Sequence, residues 1–145
     1  LDVSVRADII NLFYDIAKTN KTSLIFISHD ILTSAYLCDE LCVMYRGRVV
    51  EYGSVNDVFY FPAHPYTWGL IEAACKVPST VIKNCDGISA CEGDRFASRN
   101  RYALRIDFEK EPPMFKVGEN HYAATWLLDP RAPKVESPLG GKRNV

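Results

Sequence analysis

The sequence lacks several features that would narrow its function directly. No apolar run approaches the roughly 18 residues that a membrane-spanning helix needs, and no basic stripe typical of nucleic-acid binding is present. The formal net charge is -1, from 17 basic and 18 acidic residues. Nucleic acid is therefore disfavoured as a partner, and any association with a membrane is expected to go through another protein.

Cysteine is present but follows no metal or redox spacing. The five cysteines are Cys38, Cys42, Cys75, Cys85 and Cys91. An odd number without any Cys-x-x-Cys pair predicts reduced thiols in a cytosolic protein. The last three lie close enough in sequence to suggest a cysteine-based metal-binding protein. Their irregular spacing and the absence of an accompanying histidine favour thiols without a metal.

What the sequence does contain is a strongly patterned stretch between residues 23 and 53. Leu24–Ile27 is apolar without alternation, which predicts a strand buried on both faces of a parallel sheet. It ends at Ser28-His29-Asp30, and open α/β sheets bind ligands where strands end in this direction. Asp30 is predicted to be the N-cap of a helix over residues 31–38. By itself, His29 is better explained as a strand-end histidine bonded to a neighbouring carbonyl.

The flanking segments continue this pattern. Residues 3–19 carry apolar side chains at helical spacing and predict an amphipathic helix. Residues 41–45 and 48–52 predict two strands joined by an Arg46-Gly47 turn, followed by a short helix over 55–59. Pro62 and Pro65, on either side of His64, predict a rigid loop. Thr67 is predicted to cap a helix to about Cys75, and His64 to have a structural role. Residues 114–117 and 121–128 predict a hairpin.

The order strand, His-Asp, helix, strand, turn, strand resembles the switch-histidine region of ABC-transporter ATPases. The segments LDVSV, LIFISHD, VMYRGRVVEYG and HPYT together resemble the ATPase subunit of oligopeptide and dipeptide importers. The resemblance runs from Leu1 to about Pro130. It implies ATP hydrolysis that powers peptide import through an ABC transporter.

The resemblance also implies an α/β fold with three parts. Residues 1–60 match the C-terminal part of a P-loop NTPase domain, the ABC ATPase domain, beginning at its D-loop. Residues 61–128 match a small, irregular α+β extension typical of oligopeptide importers, and residues 129–145 are expected to be a disordered tail. No Gly-x-x-x-x-Gly-Lys-Ser/Thr motif is present. We therefore expect a truncated portion that is inactive alone, while its full-length parent is an ATPase.

By the same resemblance, His29 is the catalytic switch histidine, and Asp2, Ser28 and Asp30 lie at the nucleotide and dimer interface. Asp2 alone is also explained as a helix-start aspartate that interacts favourably with the macrodipole. ATP and Mg²⁺ are the cofactors implied for the full-length protein. The expected partners are a second ABC ATPase subunit, two transmembrane permease subunits and, indirectly, an extracellular peptide-binding protein. The expected location is peripheral, at the cytoplasmic face of the cell membrane.

Many proteins with this extension carry four cysteines that hold an iron–sulfur cluster. The matching positions here are Asp94, Asn100, Asp107 and Thr125, none of which offers a thiolate. We therefore expect no iron–sulfur cluster and no metal site.

Two alternatives stay open at this point. One is that the chain is a stand-alone, non-catalytic interaction module. The other is that it belongs to the ATPase subunit of an importer for nickel or another small solute. The transported substrate is not encoded in these residues.

Overall fold

The computed structural model describes residues 3–83 and 92–140. The helices are α1 (Val3–Asn20), α2 (Ile31–Leu37), α3 (Val55–Tyr60), α4 (Pro65–Ala74) and α5 (Arg105–Glu109). The strands are β1 (Glu40–Tyr45), β2 (Arg48–Ser54), β3 (Phe115–Gly118) and β4 (His121–Ala123). Two 3-10 turns lie at Ala97–Arg99 and Trp126–Leu128. None of these helices is long and apolar enough to cross a membrane.

The four strands form one antiparallel sheet in the order β1-β2-β4-β3. The turn between β1 and β2 places Arg46 and Gly47 at φ 46° and 77°. Positive φ at both central residues is what tight two-residue hairpin turns favour. Strand β2 then pairs with β4 through Glu51 opposite Ala123 and Tyr52 opposite Tyr122. The hairpin β1–β2 and the predicted extension therefore share a single sheet.

One hydrophobic core lies behind this sheet. It is formed by Ile31, Leu41, Val43, Tyr45, Val50, Val58, Ile71 and Phe96. The alternating burial of β1 follows from its period of two, with every second side chain turned toward the core. The rings of Tyr45, Tyr66 and Phe96 pack edge to face or tilted at 4.8–5.4 Å between centroids. Side chains from both sides of the predicted residue-60 boundary thus fill the same core.

The predicted parallel strand over residues 24–27 is wrong for the described chain. Residues 22–28 run without helix or strand pairing, and Ile25 and Ile27 are 89% and 91% exposed. A strand buried on both faces needs hydrogen-bonding neighbours and covering helices. The described residues supply neither at this place, because their sheet is antiparallel and does not include this segment. The prediction of a mixed α and β architecture holds, without the parallel sheet.

Most other elements lie where the sequence predicts them. The predicted helix at residues 3–19, the β1–β2 hairpin, the short helix after it and the β3–β4 hairpin are all present. The predicted extent of the last strand is wrong, since β4 ends at Ala123 and residues 126–128 form a 3-10 turn. The predicted cap at Thr67 is wrong, since α4 begins earlier, with His64 as N-cap and Pro65 at its first position. Proline is well suited to that position because the missing N–H has no partner in the first helical turn. Residues 129–140 form no helix or strand, and Leu139 packs against the core.

Candidate functional site

His29 lies at the junction between the extended segment and helix α2, and it is exposed. The turn that holds it is closed by its two neighbours. The hydroxyl oxygen of Ser28 accepts a hydrogen bond from the backbone N–H of Asp30 at 3.0 Å. One carboxylate oxygen of Asp30 accepts from the N–H groups of Leu32 and Thr33 at 3.0 and 3.3 Å. This is the predicted N-cap, and it fixes the backbone on which His29 is carried.

The rest of Asp30 is also used by the start of the helix. Its second carboxylate oxygen accepts from the Thr33 hydroxyl at 2.7 Å, and its carbonyl accepts from the Ser34 hydroxyl at 2.9 Å. In this arrangement Ser28 and Asp30 shape the turn, so the imidazole of His29 is the group presented outward. Their predicted place at a nucleotide or dimer interface stays a prediction. Asp2 lies outside the described residues.

Helix α2 ties this turn to the core. Ile31, directly after the cap, and Leu37, at the helix end, are both buried. Ile31 belongs to the same cluster as Ile71 of α4. The backbone that carries His29 therefore rests on a packed helix at one end, while the preceding residues 22–28, apart from the half-buried Phe26, are exposed.

A second polar centre is one that the sequence analysis missed. Glu51 in β2 is completely buried, and its carboxylate accepts from the backbone N–H groups of Ala63 and His64 at 2.7 and 3.0 Å. His121 in β4, also completely buried, is 2.6 Å from the same carboxylate through Nε2. A buried carboxylate is tolerated only when it is paired and hydrogen-bonded. The available signal was a glutamate inside the otherwise apolar Val49-Val50-Glu51-Tyr52 strand.

His64 takes the structural role predicted for it. Its ring is fully buried, and Nδ1 accepts a hydrogen bond from the N–H of Tyr66 at 3.0 Å. Burial lowers the pKa of His64 from 6.5 to about 3, and the Ala124 carbonyl acts weakly in the opposite direction. The ring is therefore neutral near pH 7, which leaves Nδ1 free of a proton and able to cap α4.

The four positions matched to cluster cysteines are all buried and each binds nearby backbone. Asp94, Asn100 and Thr125 each accept from the N–H two residues later, at 2.9, 2.9 and 3.3 Å. Asp107 accepts from the N–H of Leu104 at 2.5 Å. These side chains thus organise tight turns in the extension, as short polar side chains do in Asx and Ser/Thr turns.

Two of these buried groups have shifted acidity. Burial raises the pKa of Asp94 to about 6, with Asp107 and Glu111 adding to the shift and the N–H of Phe96 opposing it. Burial also raises the pKa of Asp107. Within residues 3–83 and 92–140, no group of three or more His, Cys, Asp or Glu side chains is placed to hold a metal ion. The expectation that no iron–sulfur cluster is bound stays a prediction.

The described cysteines are free thiols. Cys38 is half-buried, whereas Cys42 and Cys75 are exposed. Burial raises the pKa of the Cys38 thiol, with Asp39 adding to the shift, and burial raises that of Cys42. Protonated thiols are poor nucleophiles and poor metal ligands. Cys85 and Cys91 lie outside the described residues.

Comparison with known proteins links the whole chain to one group of transport proteins, although no family model matches it. The oligopeptide transport ATP-binding protein OppD of Bacillus subtilis is 46% identical over all of this chain and 43% of its own length. The dipeptide transport ATP-binding protein DppD of Lactococcus lactis is 45% identical over 93% of the chain and 41% of its own length. The oligopeptide transport ATP-binding protein AmiE of Streptococcus pneumoniae is 43% identical over 95% of the chain and 41% of its own length. The chain matches the C-terminal part of these relatives and spans about two fifths of their length.

Proposed function

This chain belongs to the oligopeptide and dipeptide transport ATP-binding proteins, and we propose that it forms the C-terminal part of a subunit that hydrolyses ATP to drive peptide import. Identity above 40% along nearly the whole chain supports this over an unrelated interaction module. The relatives are named as oligopeptide and dipeptide transport proteins, which favours peptides over nickel or another small solute.

The observation that carries the catalytic part of the proposal is the setting of His29. Its side chain is exposed, at the end of an apolar segment, on a turn fixed by the Ser28 and Asp30 hydrogen bonds. Ile31, two residues after His29, packs in the hydrophobic core and so helps to hold the same turn in place. An imidazole held in this way is suited to contact a ligand from outside the described residues.

ATP and Mg²⁺ would supply the phosphoanhydride bond and its charge neutralisation when bound to the longer protein. The contribution of this chain is a donor at His29 that stabilises charge on the transferred phosphoryl group. Such a donor acts mainly in the transition state, since the charge it meets develops as the bond breaks. The helix cap at Asp30 keeps the backbone of the donor from reorganising during the reaction.

The proposal includes the assembly in which such a subunit works. We infer pairing with a second ABC ATPase subunit and docking on two transmembrane permease subunits at the cytoplasmic face. An extracellular peptide-binding protein would then act only indirectly. Purification of the longer protein from native membranes in mild detergent tests this, and recovery without any permease subunit would contradict it.

Replacement of His29 in the longer protein tests the catalytic role. His29→Ala is expected to lower kcat for ATP hydrolysis about 10²–10³-fold and to leave ATP affinity within a few-fold, because one preorganised donor is lost. Both quantities are measured on the same folded preparation. Thr33→Val is the matched control, since it removes the Thr33–Asp30 hydrogen bond at this turn and keeps the imidazole. Turnover that survives His29→Ala would leave His29 as a turn residue without a catalytic role and would refute the mechanism.

We also propose that the extension holds no iron–sulfur cluster. Asp94, Asn100 and Thr125 already accept backbone hydrogen bonds, and none supplies the thiolate that such clusters require. Iron and sulfide analysis of anaerobically purified protein is the test. Stoichiometric iron and sulfide would refute it.

A further inference from the structure

The described structure joins the two parts that the sequence separates at residue 60. Strand β2 pairs with β4, and the N–H of Ala124 donates to the Val50 carbonyl at 2.8 Å. The core contains Val58 from before residue 60 and Ile71 from after it. The hairpin and the extension therefore behave as one packed body in space.

The side chain of Glu51 forms hydrogen bonds that connect the β1–β2 hairpin to the extension. Its single carboxylate receives donors from two separate stretches of the extension, the loop at Ala63–His64 and strand β4 at His121. Glu51, His64 and His121 are all fully buried, so water has little access to replace a lost bond between them. Loss of this carboxylate would leave unpaired donors on both stretches at once.

The same contact reaches the helix that follows His29. The N–H of His64, held by Glu51, belongs to the N-cap of α4. Helix α4 packs against α2, with Ile71 and Ile31 in one cluster. Helix α2 begins at the Asp30 cap, one residue after His29. A continuous chain of bonded and packed groups thus runs from Glu51 to the His29 turn.

We propose that Glu51 is a positioning residue for His29: by fastening the loop at residues 63–64 and β4 to the hairpin, it holds α4 against α2 and so fixes the turn that presents the histidine. In this proposal the extension stabilises the turn that carries His29 and is not a structurally independent unit. The structural coupling stands on the geometry alone, and only its effect on turnover rests on the proposed function.

Hydrogen exchange on the 145-residue chain at low micromolar concentration tests the coupling. Glu51→Gln keeps the size of the side chain but turns one acceptor oxygen into a donor, so at least one buried N–H loses its partner. Exchange is expected to accelerate about tenfold or more in residues 61–74, and also in α2, because the loop at residues 63–64 is held less firmly to the hairpin. Glu72→Gln is the matched control. Glu72 is 2% exposed and accepts from the N–H and hydroxyl of Thr80 at 3.0 and 2.5 Å, wholly within the extension.

The two variants give opposite expectations for α2. Glu72→Gln should accelerate exchange near residues 76–83 and leave α2 at the parent rate. If Glu51→Gln accelerates exchange in residues 61–64 and 121–124 but not in α2, the proposal is overturned. Equal acceleration of α2 by both variants would overturn it as well, since the effect would then be general loss of stability.

A milder variant keeps the test decisive if Glu51→Gln does not fold. His121→Gln removes the imidazole but retains a side-chain donor for Glu51, and the two backbone bonds to Glu51 stay in place. It should produce a smaller acceleration in the same two regions, α4 and α2. Acceleration confined to β3 and β4 would contradict the proposal.

Turnover in the longer protein provides the functional arm. Glu51→Gln is expected to lower kcat with KM for ATP nearly unchanged, whereas Glu72→Gln should lower neither. Unchanged kcat for a folded Glu51→Gln protein would refute the effect on His29. A parent protein without ATPase activity would instead refute the proposed function, and the exchange result would still decide the coupling.

Discussion

The N-terminal segment and the hairpin with its extension distribute polarity in opposite ways. In α1, Leu12, Phe13 and Ile16 are 57%, 50% and 46% exposed, and Ile25 and Ile27 after it are almost fully exposed. In the hairpin and extension, Glu51 and His121 are fully buried. Exposed apolar patches mark surfaces that another protein surface covers, whereas buried polar groups are stable only when they are hydrogen-bonded. The first region thus depends on further contacts, and the second on internal hydrogen bonds such as those to the Glu51 carboxylate.

Stability against pH gives the sharpest test of the second region. His64 has a folded pKa of about 3 against 6.5, so it adds stability above pH 6.5 that is lost as pH falls toward 3. Asp94 has a folded pKa of about 6 against 3.8, so it adds stability below pH 3.8 that is lost as pH rises through 6. Between about pH 4 and 6 the two slopes cancel. We expect Asp94→Asn to add a slope of about +1.4 kcal/mol per pH unit to the unfolding free energy there.

Denaturant unfolding at half-unit pH steps measures this difference directly. The comparison of slopes between parent and variant cancels the titrating groups that both proteins share, apart from Asp107 and Glu111, which interact with Asp94 itself. Asparagine retains an oxygen that can accept from the N–H of Phe96, so the turn is kept. Identical slopes in the parent and Asp94→Asn would show that the buried aspartate does not take up a proton on folding.

The opposite change is expected for His64→Asn. Asparagine is a favourable N-cap and can accept from the N–H of Tyr66, but it does not titrate. The loss of stability that protonation of His64 causes at acid pH is then removed. Between pH 6 and 4 the unfolding free energy should therefore gain about 1.4 kcal/mol per unit of acidification relative to the parent. The same unfolding series measures it. A variant that still loses stability over this range would place the acid-sensitive group elsewhere.

Charge placed on α1 tests the first region, where the smallest effect on stability is expected. We expect the exposed apolar face of α1 to cause concentration-dependent self-association of the 145-residue chain. Leu12→Lys with Phe13→Lys should suppress this association, because the face is interrupted. The unfolding free energy of the hairpin and extension should change by no more than about 0.5 kcal/mol. Sedimentation velocity and denaturant unfolding measure the two quantities.

An isolated apolar side chain in the other region supplies the control for that experiment. Met114 is 43% exposed, just before β3, and Met114→Lys should leave self-association as it is in the parent. If Met114→Lys suppresses association as strongly as the α1 variant, the first region is not the interacting surface. The contrast between the two regions would then have to be abandoned.

The sequence patterns correctly predict those features that depend on residues close together in the chain. The Asp30 cap, the Arg46-Gly47 turn and the period-two burial of β1 all depend on residues within a few positions of each other. The pairing of β2 with β4 joins residues about 70 positions apart, and no single-segment pattern encodes it. The Leu24–Ile27 run is apolar, but its composition does not show whether strands or helices lie beside it in the structure.

The candidate site divides in the same way. His29 was found because a polar triplet interrupts an apolar run, and Asp30 because it precedes a helix. The sequence does not reveal the Glu51–His121 pair, because the two residues lie 70 positions apart in the chain. The sequence predicts a structural role for His64 but a helix cap at Thr67, because prolines are typical of loops. In the structure Pro65 instead occupies the first position of the helix, which proline favours.

Gly53 makes the joint between hairpin and extension recognisable in other sequences. A Cβ at this position would lie 2.7 Å from the Asn120 carbonyl oxygen and 3.1 Å from Cα of His121. Both are backbone atoms at the start of β4, which cannot withdraw without opening the β2–β4 pairing. A relative with any larger residue at the corresponding position must therefore hold its extension at a different distance or lack it. One residue type, in a strand where glycine is otherwise unfavourable, thus gives a sequence criterion for sorting relatives by how their C-terminal regions are attached.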